Sequence, residues 1–152
     1  MGFKKLTYSG TKSNSYLYFA LIADQFDPVE VSKALNLKPT STRKKAYPTP
    51  KFTSWKYTIE AGSHPDLESS LEQLINIFEP KIDKINQLKR SFKLDTRLQF
   101  VIDIDIDPEQ STPYFPFNKR VIRFLAETET VVDFDIYKTD SLGLLALVGR
   151  QL

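Results

Sequence analysis

The sequence predicts an α+β fold: a single domain over residues 1–152, ordered β-α-β-α-β-α-β, in which helices cover one face of one mixed or antiparallel sheet as a two-layer sandwich. Three observations predict it. Strand-length stretches with dense or alternating apolar residues recur four times. Between them lie stretches whose apolar residues return every three or four positions. A chain of 152 residues that is 41% hydrophobic can bury one core and falls outside the composition of disordered chains.

Taken in order, "SYLYFALIAD" reads as a mostly buried first strand over residues 15–23. A helix follows at once, with Asp27 at the N-cap, Pro28 in the first turn and Glu30 at the capping-box position. Val31, Ala34 and Leu35 give it an apolar side until "NLKPT" stops it. Residues 38–51, "KPTSTRKKAYPTPK", read as a loop. In "FTSWKYTIE" the alternation of Trp55, Tyr57 and Ile59 with Ser54, Lys56 and Thr58 marks a half-buried strand.

Leu67, Leu71, Leu74, Phe78, Ile82, Ile85 and Leu88 recur at helical spacing, and Pro80 predicts a kink there or two helices. A third strand runs from Leu98 to Asp107 before Pro108. A helix follows from about Phe117 to Ala126, burying Val121, Phe124 and Leu125, and a fourth strand spans Val131 to Tyr137. The apolar ending "SLGLLALVGRQL" predicts a final strand or a short docked segment.

Several function classes are excluded by content. There is no cysteine, which removes disulfides, thiolate metal sites and thiol catalysis and fits a reducing cytoplasm. The opening "MGFKKLTYSG" lacks the apolar run of a signal peptide, and no later stretch is long enough to span a bilayer. The net charge of +2 is too near balance to argue for nucleic acid by itself, but its distribution is uneven. Residues 1–100 carry 16 Lys and Arg against 10 Asp and Glu, whereas residues 101–152 carry 5 against 9.

The most conspicuous pattern is "VIDIDIDPEQ". Ile102, Ile104 and Ile106 are expected to face the helices, with Asp103, Asp105 and Asp107 on the other side of the sheet. "VVDFDIY" repeats the alternation with Asp133 and Asp135. If the two strands are neighbours, Asp103, Asp105, Asp133 and Asp135 share one face. Carboxylate oxygens are the ligands Mg²⁺ or Ca²⁺ requires, but alternate residues of a strand lie about 6.5–7 Å apart, wide for one ion. No calcium loop, HExxH or glycine-rich phosphate cradle accompanies them. No cofactor and no metal are therefore expected, and no catalytic residue is assigned. Like charges directly opposite destabilise a sheet, so the stripe needs an offset, which the cations of residues 38–51 and of "KINQLKRSFK" are placed to supply.

A second constellation is basic and aromatic. Six cations and no carboxylate lie between Lys38 and Lys56, near Tyr47, Trp55 and Tyr57. Arg43, Lys44 and Lys45 would contact phosphates while Trp55 stacks a base, as in single-strand binders, although sharing a face with Ile59 favours burial of Trp55. His64, the only histidine, stands in "AGSHPD" and reads as an exposed loop residue without a positioned partner for acid–base work.

"YLYFALIADQFDPVEVSKALNLKPT", then "TSW" before Lys56, then "DFDIY", resembles the domain of unknown function 4279 family over roughly residues 16–137. The most specific piece is "FDPVEVSKALNLKPT". The resemblance implies a small, mostly single-domain bacterial cytosolic protein and brings no catalytic residues. Through the placing of some relatives beside secreted-toxin genes, it also implies an immunity-type inhibitor. Members often carry Lys-Gly in the loop before the tryptophan strand, where this chain has Lys45-Ala46. The residues themselves point to a non-enzymatic cytoplasmic domain that binds another protein, its acidic face meeting a basic surface such as that of a nuclease toxin. Single-stranded nucleic acid bound through residues 38–56 is the first alternative, and a divalent-metal enzyme the second.

Overall fold

The computed structural model describes residues 15–61, 66–140 and 142–148. His64 lies outside the described residues. Among the described residues, five strands form one mixed sheet in the order β2-β3-β1-β4-β5. β1 (Tyr16–Ala23) is central and antiparallel to both β3 (Thr53–Glu60) and β4 (Asp95–Asp105). β2 (Ser41–Arg43) lies antiparallel at one edge, and β5 (Val131–Thr139) lies parallel to β4 at the other. The chain is thus of the α+β class expected, with a mixed sheet.

α1 (Pro28–Leu35) begins where Asp27 Oδ1 accepts from the Val29 N–H at 3.0 Å. It ends where Asn36 takes the left-handed conformation and donates its N–H to Lys33 and Ser32 carbonyls. The long periodic segment resolves into two helices, α2 (Leu67–Phe78) and α3 (Ile82–Phe92), joined by a 3-10 turn at Glu79–Lys81 that contains Pro80. Asp66 caps α2, accepting from the Glu68 and Ser69 N–H groups. Asn118 caps α4 (Lys119–Glu127), accepting from the Val121 N–H at 3.0 Å.

These helices bury one side of the sheet. Leu17, Phe19 and Leu21 of β1, Trp55 of β3, and Leu98, Phe100 and Ile102 of β4 meet Val31, Leu71, Leu74, Phe78, Ile85, Val121 and Phe124 in one core. Phe78 is its hinge, with ring centroids 4.6 Å from Phe19 and 6.3 Å, edge-on, from Trp55. A buried threonine cluster ties the far end together. Thr128 Oγ1 donates to the Phe124 carbonyl, and the Thr128 carbonyl accepts from Lys89 Nζ and Thr96 Oγ1, joining α3, α4 and β4.

Four expectations change. The loop 38–51 contains β2, because Ser-Thr-Arg is extended and pairs with β3 while Thr40 Oγ1 accepts from the Thr58 N–H. The third strand starts three residues earlier, at Asp95, and ends two earlier, at Asp105. Its end is set by carboxylates: Asp105 Oδ1 accepts from the Asp107 N–H, and Asp107 Oδ1 from the Glu109 N–H, both at 3.0 Å. Asp107 is therefore a buried turn residue and leaves the acidic stripe. Of the final strand or short docked segment expected at the C-terminus, the strand is overturned: Leu144–Val148 forms a short helix, α5, because Asp140 accepts from the Leu144 and Leu145 N–H groups.

Candidate interaction surface

The face of the sheet turned away from the core is the face of interest, and strand alternation decides which side chains reach it. From the register, Tyr16 and Tyr18 of β1, Lys56 of β3, Arg43 of β2, Arg97, Gln99, Val101 and Asp103 of β4, and Asp133, Asp135 and Tyr137 of β5 share it. The aspartates on β4 and β5 converge there because the two strands are parallel neighbours. Asp105, in register with Thr139, continues the same side.

The register also removes the repulsion that the stripes would suffer if they met head-on. Asp133 stands opposite Gln99, Asp135 opposite Val101, and Asp103 opposite Tyr137, so no two carboxylates form a direct cross-strand pair. The offset differs from the one expected. Arg97, within β4 itself, places Nη1 4.0 Å from Asp133 Oδ2. The loop cation Lys45 pairs with Asp24, and Lys89 of α3 approaches Glu129 at 3.7 Å. Neither reaches the stripe. No ion pair engages Asp103 or Asp135 among the described residues.

Across the sheet the charge changes sign. At the β2–β3 side Lys56 Nζ lies 4.5 Å from the centre of the Tyr18 ring. Burial, then Arg43 and Arg97, pull the Lys56 ammonium below its ordinary pKa. Burial raises the Tyr18 phenol above its ordinary value. Arg97 opposes that rise, while Tyr16, Asp135 and Asp133 add to it. The open face is therefore basic around Arg43 and Lys56, with the carboxylate of Glu60 farther along β3 opposite Tyr16, and acidic toward β5, with Tyr16 and Tyr18 stacked 6.4 Å apart between the halves. Gln99 Nε2 sits buried beneath it with no hydrogen-bond partner.

The basic-loop constellation is not assembled. Trp55 is 0% exposed, and its Nε1 donates to Ser32 Oγ at 2.9 Å, so the indole belongs to the core and is closed to a stacking base. Arg43, Lys44 and Lys45 remain exposed. Ala46 is not among the residues with positive φ, so the turn before the tryptophan strand requires no glycine. Among the described residues, no group of three or more His, Cys, Asp or Glu is arranged to hold a metal ion. No helix among them is long and apolar enough to cross a membrane.

The family model described as a domain of unknown function, DUF4279, matches residues 12–139. The chain belongs to this family. The DUF4279 match takes in all five strands and every open-face residue named above, and it stops before α5. No curated protein and no solved structure matches the chain.

Sequence reasoning found the four aspartates but missed Tyr16, Tyr18, Arg97 and Lys56. The signal was present in β1: "YLYFALI" places both tyrosines in the phase opposite Leu17, Phe19 and Leu21. It also missed that β5 is exposed on both faces, with Phe134 and Ile136 on the helix side left partly uncovered.

Proposed function

We propose that this DUF4279 chain is a non-enzymatic protein-binding domain of the bacterial cytoplasm. Its acidic half-face, carried by Asp103, Asp105, Asp133 and Asp135, docks a basic protein surface of the kind a nuclease toxin presents. The observation that carries this reading is the parallel β4–β5 pairing, which gathers the aspartates on one open face, where Arg97 approaches Asp133. Asp133 and Asp135 are exposed and Asp103 and Asp105 half-buried, and like charges concentrated on one sheet face accelerate encounter with an oppositely charged partner and reject wrong ones. Tyr137, also open on this face, supplies aromatic contact area at low entropic cost.

The test is affinity capture from the source cell with the wild type beside an Asp103/Asp105/Asp133/Asp135→Asn variant, followed by measured association with the captured protein. A basic protein lost only from the variant, whose association rate falls with added salt, is the expected result. Capture of the same proteins by both baits refutes the acidic interface.

A second reading, single-stranded nucleic acid, draws support from the basic half-face, where Lys56 lies over the Tyr18 ring and Arg43 stands on the same side of the sheet opposite Ser54. It relies on Arg43, Lys44 and Lys45, with Tyr18 taking the stacking role that buried Trp55 cannot fill. It predicts binding that weakens steeply with salt, and a titration with single-stranded RNA or DNA that is flat at low salt removes it.

A further inference from the structure

Along all nine residues, β5 pairs with β4 and, among the described residues, with no other strand, so the far side of its backbone is a row of peptide groups that is open except at Phe134, whose N–H donates to Asp133 Oδ1 at 2.9 Å, a bond an added strand displaces. Such a row is a template for another strand, and edges are usually blunted by shortness, proline, bulges or inward-pointing charge. Val131–Thr139 has neither proline nor glycine, and its register with β4 runs uninterrupted from Arg97 opposite Val131 to Asp105 opposite Thr139. Lys138, next to the strand's end, is its single cation. The apolar side chains are open too: Ile136 is 58% exposed, Tyr137 56% and Phe134 41%.

The geometry points to β5 as a strand-addition site whose occupant is an extended segment of a basic protein. Lys or Arg at alternate positions of that segment lie beside Asp133 and Asp135, and the apolar residues between them cover Phe134 and Ile136. Main-chain bonds to the open row supply affinity, while the alternating side chains supply selection. Charge complementarity decides the occupant, because opposite charges across neighbouring strands attract and like charges repel. Antiparallel self-pairing centred on Phe134 or on Asp135 sets carboxylate against carboxylate, and pairing centred on Ile136, which sets Asp135 opposite Tyr137 and Asp133 opposite Thr139, lacks the attraction that a basic segment gains. The inference rests on the acidic reading proposed above and adds the mode of contact and the sequence pattern of the partner.

The probe is an end-capped alternating lysine–valine peptide long enough to run along β5, titrated at low salt. Two derivatives accompany it, N-methylated on every lysine or on every valine. In a strand these two sets of N–H groups point to opposite sides, so strand addition requires one set and ignores the other. The expected result is that one derivative loses about tenfold or more in affinity while the other binds like the parent, with Asp133→Asn/Asp135→Asn weakening all three. Ile136→Lys, which places a cation on the exposed edge, should abolish binding while its circular dichroism and melting temperature stay near those of the wild type.

If both derivatives bind like the parent and only the Asn variant loses binding, strand addition is wrong and the acidic face stands. If methylation discriminates but the Asn variant binds unchanged, the basic occupant and the acidic reading both fall. Absence of binding by the parent peptide overturns the inference. So does self-association of the protein alone that Ile136→Lys abolishes, which makes a second copy the occupant.

Discussion

The two edges of the sheet are built on opposite plans. β2 is three residues long, lies between Pro39 and the cations Lys44 and Lys45, and is held to β3 by the side chain of Thr40 as well as by its ladder. Beneath that side the core is closed, because Trp55 fills the space under α1 and reaches Ser32. β5 is three times as long, carries apolar side chains on both faces, and leaves them partly in water. Its inner contact is a flatter aromatic layer in which Phe134 stacks on Phe100 at 5.1 Å and nears Phe115 at 5.7 Å. One edge is finished by the chain itself. The other, among the described residues, is left long, exposed and acidic, and is the edge proposed above for strand addition.

The largest expected effect comes from truncating the aromatic residue on each side. Trp55→Ala removes a fully buried indole and the N–H that Ser32 Oγ accepts, while the Ser32 hydroxyl keeps its own bond to the Pro28 carbonyl, so urea denaturation should show a loss of about 3–5 kcal/mol. Phe134→Ala removes a ring already 41% exposed, and about 1–2 kcal/mol is expected. Equal losses would break the comparison, because they would mean that β5 is as firmly cored as β3.

Next comes the tie on the β2 edge. Thr40 Oγ1 accepts from the Thr58 N–H at 3.0 Å and lies within hydrogen-bonding distance of the Lys56 carbonyl and Thr58 Oγ1. Thr40→Val keeps the shape and removes the hydroxyl, so about 1 kcal/mol should be lost. Amide exchange should rise locally in Ser41–Arg43 while β5 is unchanged. Faster exchange in β5 as well would couple the two edges.

How much of this was legible in the sequence follows from what each feature depends on. Strand and helix identity rest on local alternation and period, so β1, β3, the two halves around Pro80 and the cap at Asp27 could be read directly. The acidic face was legible in part, since alternation puts Asp103 and Asp105 on one side of β4. Their meeting with Asp133 and Asp135 required strand order, which no local pattern encodes. Asp107 was misplaced because a carboxylate that bonds a following N–H ends a strand, and the bare alternation of Ile and Asp does not reveal where this happens. β2 was hidden by its length: three extended residues have no period to detect. The exposure of Phe134 and Ile136 depends on how far the helix layer extends, a property of the tertiary fold alone.

Ile136→Lys tests the β5 edge from the stability side. The residue is more than half exposed, so the folded monomer should change by no more than about 0.5 kcal/mol. A loss several times larger would show that Ile136 is structural, and the contrast between a self-finished and an unfinished edge would weaken accordingly.

The smallest effect concerns the charges that separate the two sides. Burial and the neighbouring guanidinium groups of Arg43 and Arg97 depress Lys56, so the folded chain holds this proton less firmly than the unfolded chain. Stability from this group therefore rises as pH climbs from the lowered folded value toward the ordinary 10.5, and the cost is fully present below that window. Lys56→Met removes both the cost and the ammonium contact with Tyr18, so its absolute effect mixes two terms. The pH dependence of the difference isolates the first. The melting temperature of the wild type should gain on that of Lys56→Met as pH climbs toward the ordinary lysine value of 10.5. A flat difference would mean that neither burial nor Arg43 and Arg97 weakens the hold of Lys56 on its proton. The β2 side would then carry its cations without electrostatic strain, and charge would distinguish the two edges less than length and exposure do.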